Sequence, residues 1–102
     1  MMYIVTQGVY DAQNRPCFIG SIHPEQDVHN SITDAIARAK ILSDDFQKSN
    51  TSMRMELPPN EMTIRFYSGT TERHWEIRIN EIELQNEKLY NNLHRRKSVV
   101  AH

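Results

Sequence analysis

Ser31-Ile-Thr-Asp-Ala-Ile-Ala-Arg-Ala-Lys-Ile-Leu-Ser-Asp-Asp-Phe-Gln-Lys48 is the stretch on which the fold turns. Its apolar side chains Ile32, Ala35, Ile36, Ala39, Leu42 and Phe46 follow the spacing that lines one face of an α-helix. Ser31 followed by Asp34 resembles a capping box with a shortened acid. Ala35, Ala37 and Ala39 favour the helical backbone. The opposite face is too polar to be buried, so this helix needs a flat apolar surface to lie on.

Downstream, the hydrophobic period changes from 3.6 to 2. Met62, Ile64 and Phe66 alternate with Thr63, Arg65 and Tyr67, and Trp75, Ile77 and Ile79 alternate with His74, Glu76 and Arg78. Ser68–Thr71 lies between, with Gly69 able to take positive φ. This is a β-hairpin with an apolar and a polar face. Upstream, Tyr3–Tyr10 and Pro16–Ile22 are rich in β-branched and aromatic residues and flank the polar turn Asp11–Arg15. They predict a first hairpin, apolar on both faces. His23–Asn30 reads as a loop, and Met53–Leu57 alternates like a short strand before Pro58-Pro59.

After Ile79 the apolar phase slips to Ile82 and Leu84, which implies a bulge or a helix starting at Asn80. The expectation is a strand to about residue 84, then a C-terminal helix carrying Leu89 and Leu93. The predicted fold is therefore α+β: β-hairpin, central helix, β-hairpin and C-terminal helix, with an antiparallel sheet and Ser31–Lys48 packed on one face. Ile36, Ala39, Leu42 and Phe46 should meet Ile64, Phe66, Trp75, Ile77 and Ile79. Residues 1–97 form one domain and 98–102 fray.

With 102 residues the chain has the length of one domain and can bury a core without disulfides. Its formal net charge is −1, so no global field draws it to nucleic acid or acidic membrane. The charge is uneven: residues 1–84 carry −4 and residues 85–102 carry +3. Cys17 is the single cysteine, which excludes an internal disulfide. Met1–Val9 lacks the long apolar core of a leader, and no run approaches the roughly 20 apolar residues of a membrane span. The expected location is the cytoplasm.

The motifs of catalysis and cofactor binding are not legible. His23, Glu25, Asp27 and His29 are legitimate metal-ligand types, but their spacing matches no metal site, and they read as a solvated loop. Cys17 has no elbow or signature around it and reads as a small buried apolar residue. Gly8, Gly20 and Gly69 cannot form a phosphate loop. No cofactor and no metal is expected.

The polar face of the second hairpin is the candidate binding surface: Arg65, Tyr67 and Arg78 at its centre, His74 and Glu76 at its rim. Arg and Tyr are enriched at binding hot spots because each joins a large contact area to directed hydrogen bonds. The bland alternative is that Arg65 and Arg78 simply pair with Glu76 across strands. These residues predict a small non-enzymatic protein-binding module (adaptor, regulator or inhibitor) whose partner is another protein. Short motif-free chains of this kind are associated with phages and mobile elements. The competing reading is a nucleic-acid binder using this face together with the basic tail Arg95-Arg96-Lys97. The two-sided first hairpin further suggests a homodimer.

Overall fold

The computed structural model describes residues 2–59, 62–69 and 72–82. In chain order the elements are strands β1 (Met2–Tyr10) and β2 (Pro16–Ile19), the short helix α1 (Pro24–Asp27), β3 (Val28–His29), helix α2 (Ile32–Ser49), β4 (Arg54–Glu56), β5 (Thr63–Tyr67) and β6 (His74–Ile82). The strands form one six-stranded sheet, ordered β2-β1-β6-β5-β4, with β3 paired to β1. All of its pairings are antiparallel.

α2 begins and ends where its sequence dictates. The Ser31 hydroxyl accepts from the Asp34 N–H at 3.5 Å, and the Asn50 side-chain amide donates to the Phe46 carbonyl at 2.9 Å. The helix lies on one face of the sheet. There Ala35, Ala39 and Leu42 meet Val5, Phe66 and Ile77, with Tyr3, Phe46, Met53, Ile64, Trp75 and Ile79 packed around them. Two details differ from the sequence reading. Val5 on β1 belongs to this core. Ile36 does not: it is 47% exposed and lines a groove between α2 and β5. The fully buried position on that turn is Ala35, the residue before it, which points the small side chain and not Ile36 at the sheet.

β1 and β6 are central neighbours, paired without interruption from Met2↔Ile82 to Tyr10↔His74. The phase slip after Ile79 is therefore neither a bulge nor a helix start. The strand continues in register, and Ile82 falls on the face opposite Ile79. The predicted C-terminal helix and the tail lie outside the described residues.

The stretch His23–Asn30 is not a plain loop; it folds as α1 and β3. Asp27 is buried there. Its Oδ1 accepts from Arg38 Nε at 2.8 Å and its Oδ2 from the His23 N–H at 2.8 Å. A carboxylate is tolerated in such a place only when paired, and the partner stands eleven residues away on α2. Likewise β2 stops at Ile19 rather than Ile22, and its pairing with β1 is irregular between Val9 and Tyr10. At Gly8 the strands come so close that a Cβ would collide with the Phe18 carbonyl oxygen.

The turn between β1 and β2 is organised by Asp11. Its carboxylate accepts from the Gln13 and Arg15 N–H groups and from Arg15 Nε, each at 2.9 Å. These contacts, led by the Arg15 N–H, hold its pKa below its ordinary value against the opposing effect of desolvation. Asn14 takes φ 61°, a left-handed conformation that Asn tolerates and Ala does not. Asn14→Ala should lower stability by about 1 kcal/mol, and Asn14→Gly should leave it nearly unchanged. Thermal melts of the two variants compared directly will show whether the turn carries this strain.

Candidate functional site

The sheet face turned away from α2 is built in rows by strand register. One row runs Arg54, Tyr67, His74, Tyr10 across β4, β5, β6 and β1; the next runs Glu56, Arg65, Glu76, Gly8. All five residues singled out from the sequence stand on this face. Their arrangement differs from expectation, because His74 and Glu76 are the buried centre and not the rim. Glu76 is fully buried, with Gly8 directly opposite it on β1 and Arg65 on β5.

Every contact of the Glu76 carboxylate is a charged or ring N–H donor. Oε1 accepts from Arg65 Nε at 2.8 Å and from His74 Nε2 at 3.0 Å. Oε2 accepts from Arg78 Nε at 2.6 Å and is also paired with Arg78 Nη2. Since an ionised carboxylate only accepts, the His74 proton sits on Nε2. Burial pushes the Glu76 pKa up, but the hydrogen bonds from Arg65, His74 and Arg78 outweigh it and hold the carboxyl below its ordinary value. The cross-strand pairing weighed as the bland alternative is thus present. It forms one closed network rather than two loose surface pairs.

Aromatic rings frame this network. His74 lies between Tyr10, at 6.0 Å between centroids, and Tyr67, at 5.1 Å. The Arg78 guanidinium covers the Tyr10 ring at 4.5 Å, and Arg54 covers Tyr67 at 4.9 Å. Tyr10 and Arg54 were not singled out from the sequence. They join the site only through the β1–β6 and β4–β5 registers, and no local pattern encodes either pairing.

The other candidates are not brought together. Asp27 is committed to Arg38, and His29 Nε2 lies 2.7 Å from the Gln26 carbonyl oxygen. Among the described residues no group of three or more His, Cys, Asp or Glu is placed to hold a metal ion. Cys17 is exposed rather than buried, because β2 is an outer strand and all four of its residues are exposed. The basic stretch Arg95-Arg96-Lys97 lies outside the described residues. No described helix is long and apolar enough to cross a membrane. No family model matches the chain, and no curated protein or solved structure matches it.

Proposed function

We propose that this is a non-enzymatic binding protein that takes another protein on the Arg65/Tyr67/Arg78 face of its sheet. The observation that carries the reading is the buried, fully paired Glu76. It pairs with Arg65, His74 and Arg78, and side chains already held in the folded protein lose less entropy on binding. The exposed Arg54 stacks over the half-buried Tyr67 beside them, the residue types of a hot spot. The charges this face offers to solvent are Arg54, Glu56 and part of Arg78, and Arg is a residue type enriched at protein interfaces.

The nucleic-acid reading is less well supported on the same face. Base stacking needs open ring faces, yet guanidiniums cover Tyr10 and Tyr67, and His74 is buried between them.

The test is site-specific photocrosslinking in native lysate, with a benzophenone side chain replacing Tyr67 in one sample and Ile41 in another. A discrete, nuclease-resistant protein adduct from position 67 and none from position 41, on the exposed side of α2, is expected. Tyr67→Ala should then weaken capture of that protein by roughly thirtyfold. An adduct only from position 41 would place the contact elsewhere. Capture that vanishes with nuclease, or on truncation after Leu93, would instead favour nucleic acid and the basic tail.

A further inference from the structure

The outer edge of β4 points to a second interface. The hydrogen-bond phase of the sheet can be followed outward from one bond, the Ile79 N–H to the Met62 carbonyl at 2.8 Å. Hydrogen-bonded pairs alternate along an antiparallel ladder. Residues 62, 64 and 66 of the second hairpin therefore bond toward β6, and 63, 65 and 67 toward β4. With Arg54 opposite Tyr67 and Glu56 opposite Arg65, those two residues bond inward. The N–H and C=O of Met55 point away from the sheet. The Gly20 N–H to the Gln7 carbonyl, 2.8 Å, gives the same phase from the other end of the sheet.

We propose that β4 pairs antiparallel with β4 of a second copy of this chain, about a two-fold axis passing beside Met55. In that register Met55 faces Met55 of the second copy and the two exchange both backbone hydrogen bonds. Arg54 of each copy then faces Glu56 of the other. The charges select the partner. A strand reading Arg-Met-Glu is complementary to its own antiparallel copy, so the two-fold creates two cross-strand ion pairs. The Arg54–Glu56 contact within one strand is exposed and exchanges readily for the intermolecular one. On the opposite face Met55 and Leu57, 43% and 62% exposed, lie beside α2 and border a groove of about 200 Å³ with Ile64 and Gln47. Pairing brings the two sets of these side chains together.

The axis is perpendicular to the sheet, so the two copies share faces. Both helices lie on one side, and both Arg65/Tyr67/Arg78 surfaces lie side by side on the other. Edges are usually guarded by charge or by a backbone irregularity. At the β1 end of the sheet β2 has an irregular pairing and β3 is two residues long; β4 has opposite charges that its own copy neutralises. A contact this short buries less than the roughly 1,600 Å² of a standard stable interface, so the dimer should be weak.

Sedimentation equilibrium from about 10 μM to about 1 mM tests the proposal across the range of weak affinities. A monomer–dimer equilibrium is expected. Met55→Pro should abolish it without lowering the melting temperature of dilute protein, because the N–H it removes points outward. Arg54→Glu should weaken the dimer about tenfold or more by setting like charges opposite one another. The swapped double variant Arg54→Glu, Glu56→Arg should restore it. A monomer at all concentrations overturns the proposal. So does a dimer that survives both Met55→Pro and Arg54→Glu, or a charge swap that does not rescue.

Discussion

Replacing Glu76 by alanine should lower the stability of the domain by about 3 kcal/mol, within the range seen when one partner of a buried ion pair is removed. The loss is not that of a surface salt bridge, for which a value below about 1 kcal/mol is usual. Glu76 is fully buried, and without its carboxylate Arg65 Nε and His74 Nε2 both lose the acceptor they share in the interior. Arg78 is 30% exposed and can turn to water, which keeps the figure at the low end of the range. Glu76→Gln keeps the shape but places an amide donor against guanidinium donors, so it should fall between wild type and Glu76→Ala. The sign of the pH dependence follows from the lowered pKa. The unfolded chain takes up a proton at the ordinary carboxylate value while the folded chain is still ionised. The contribution of Glu76 is complete above that ordinary value and is lost as pH falls through the folded one. Urea unfolding at pH 7 and at successively lower pH should show wild type and Glu76→Gln converging in acid. Parallel curves, or a Glu76→Ala variant within about 1 kcal/mol of wild type, would show that the network holds little.

The legible parts of this fold are those encoded by local period. α2 and its Ser31 and Asn50 caps, the alternation of β5 and β6, and the positive φ of Gly69 follow from residues a few positions apart. The parts that were not legible depend on partners far along the chain. Nothing within residues 23–30 shows that Asp27 is buried, because Arg38 makes that burial tolerable. The phase slip at Ile82 looked like an irregularity because one face was assumed to be the core. Met2 is buried opposite Ile82, so the strand has apolar residues on both faces near that end. The candidate site was half legible for the same reason. Alternation alone put Arg65, Tyr67, His74, Glu76 and Arg78 on one face. Which of them is central depends on the registers that set Arg65, Gly8 and Glu76 side by side, and these pair residues far apart in the chain.

Phe66→Ala should be the most damaging substitution in the core, at about 3–5 kcal/mol. Among the described residues Phe66 is the largest side chain that is completely buried. Its ring packs on Phe46 at 4.6 Å and 44°, and Phe46 in turn stacks on Trp75 at 5.2 Å and 8°. Truncating Phe66 therefore opens a cavity under α2 and also frees the ring that orders Trp75. The sequence pattern alone would give Trp75→Ala the same cost. The structure reverses that ranking: Trp75 is only partly buried, and its indole N–H is shielded from water without a hydrogen-bond partner. An unmet buried donor offsets part of what the ring contributes, by about 1–3 kcal/mol. Trp75→Phe, which keeps an aromatic stack on Phe46 and removes the donor, should thus be nearly neutral, and Trp75→Ala should cost less than Phe66→Ala. Denaturant unfolding of the three variants, followed by circular dichroism because two of them lack the tryptophan, gives the order directly. If Trp75→Ala proves the more damaging, the indole ring and not Phe66 anchors α2 to the sheet.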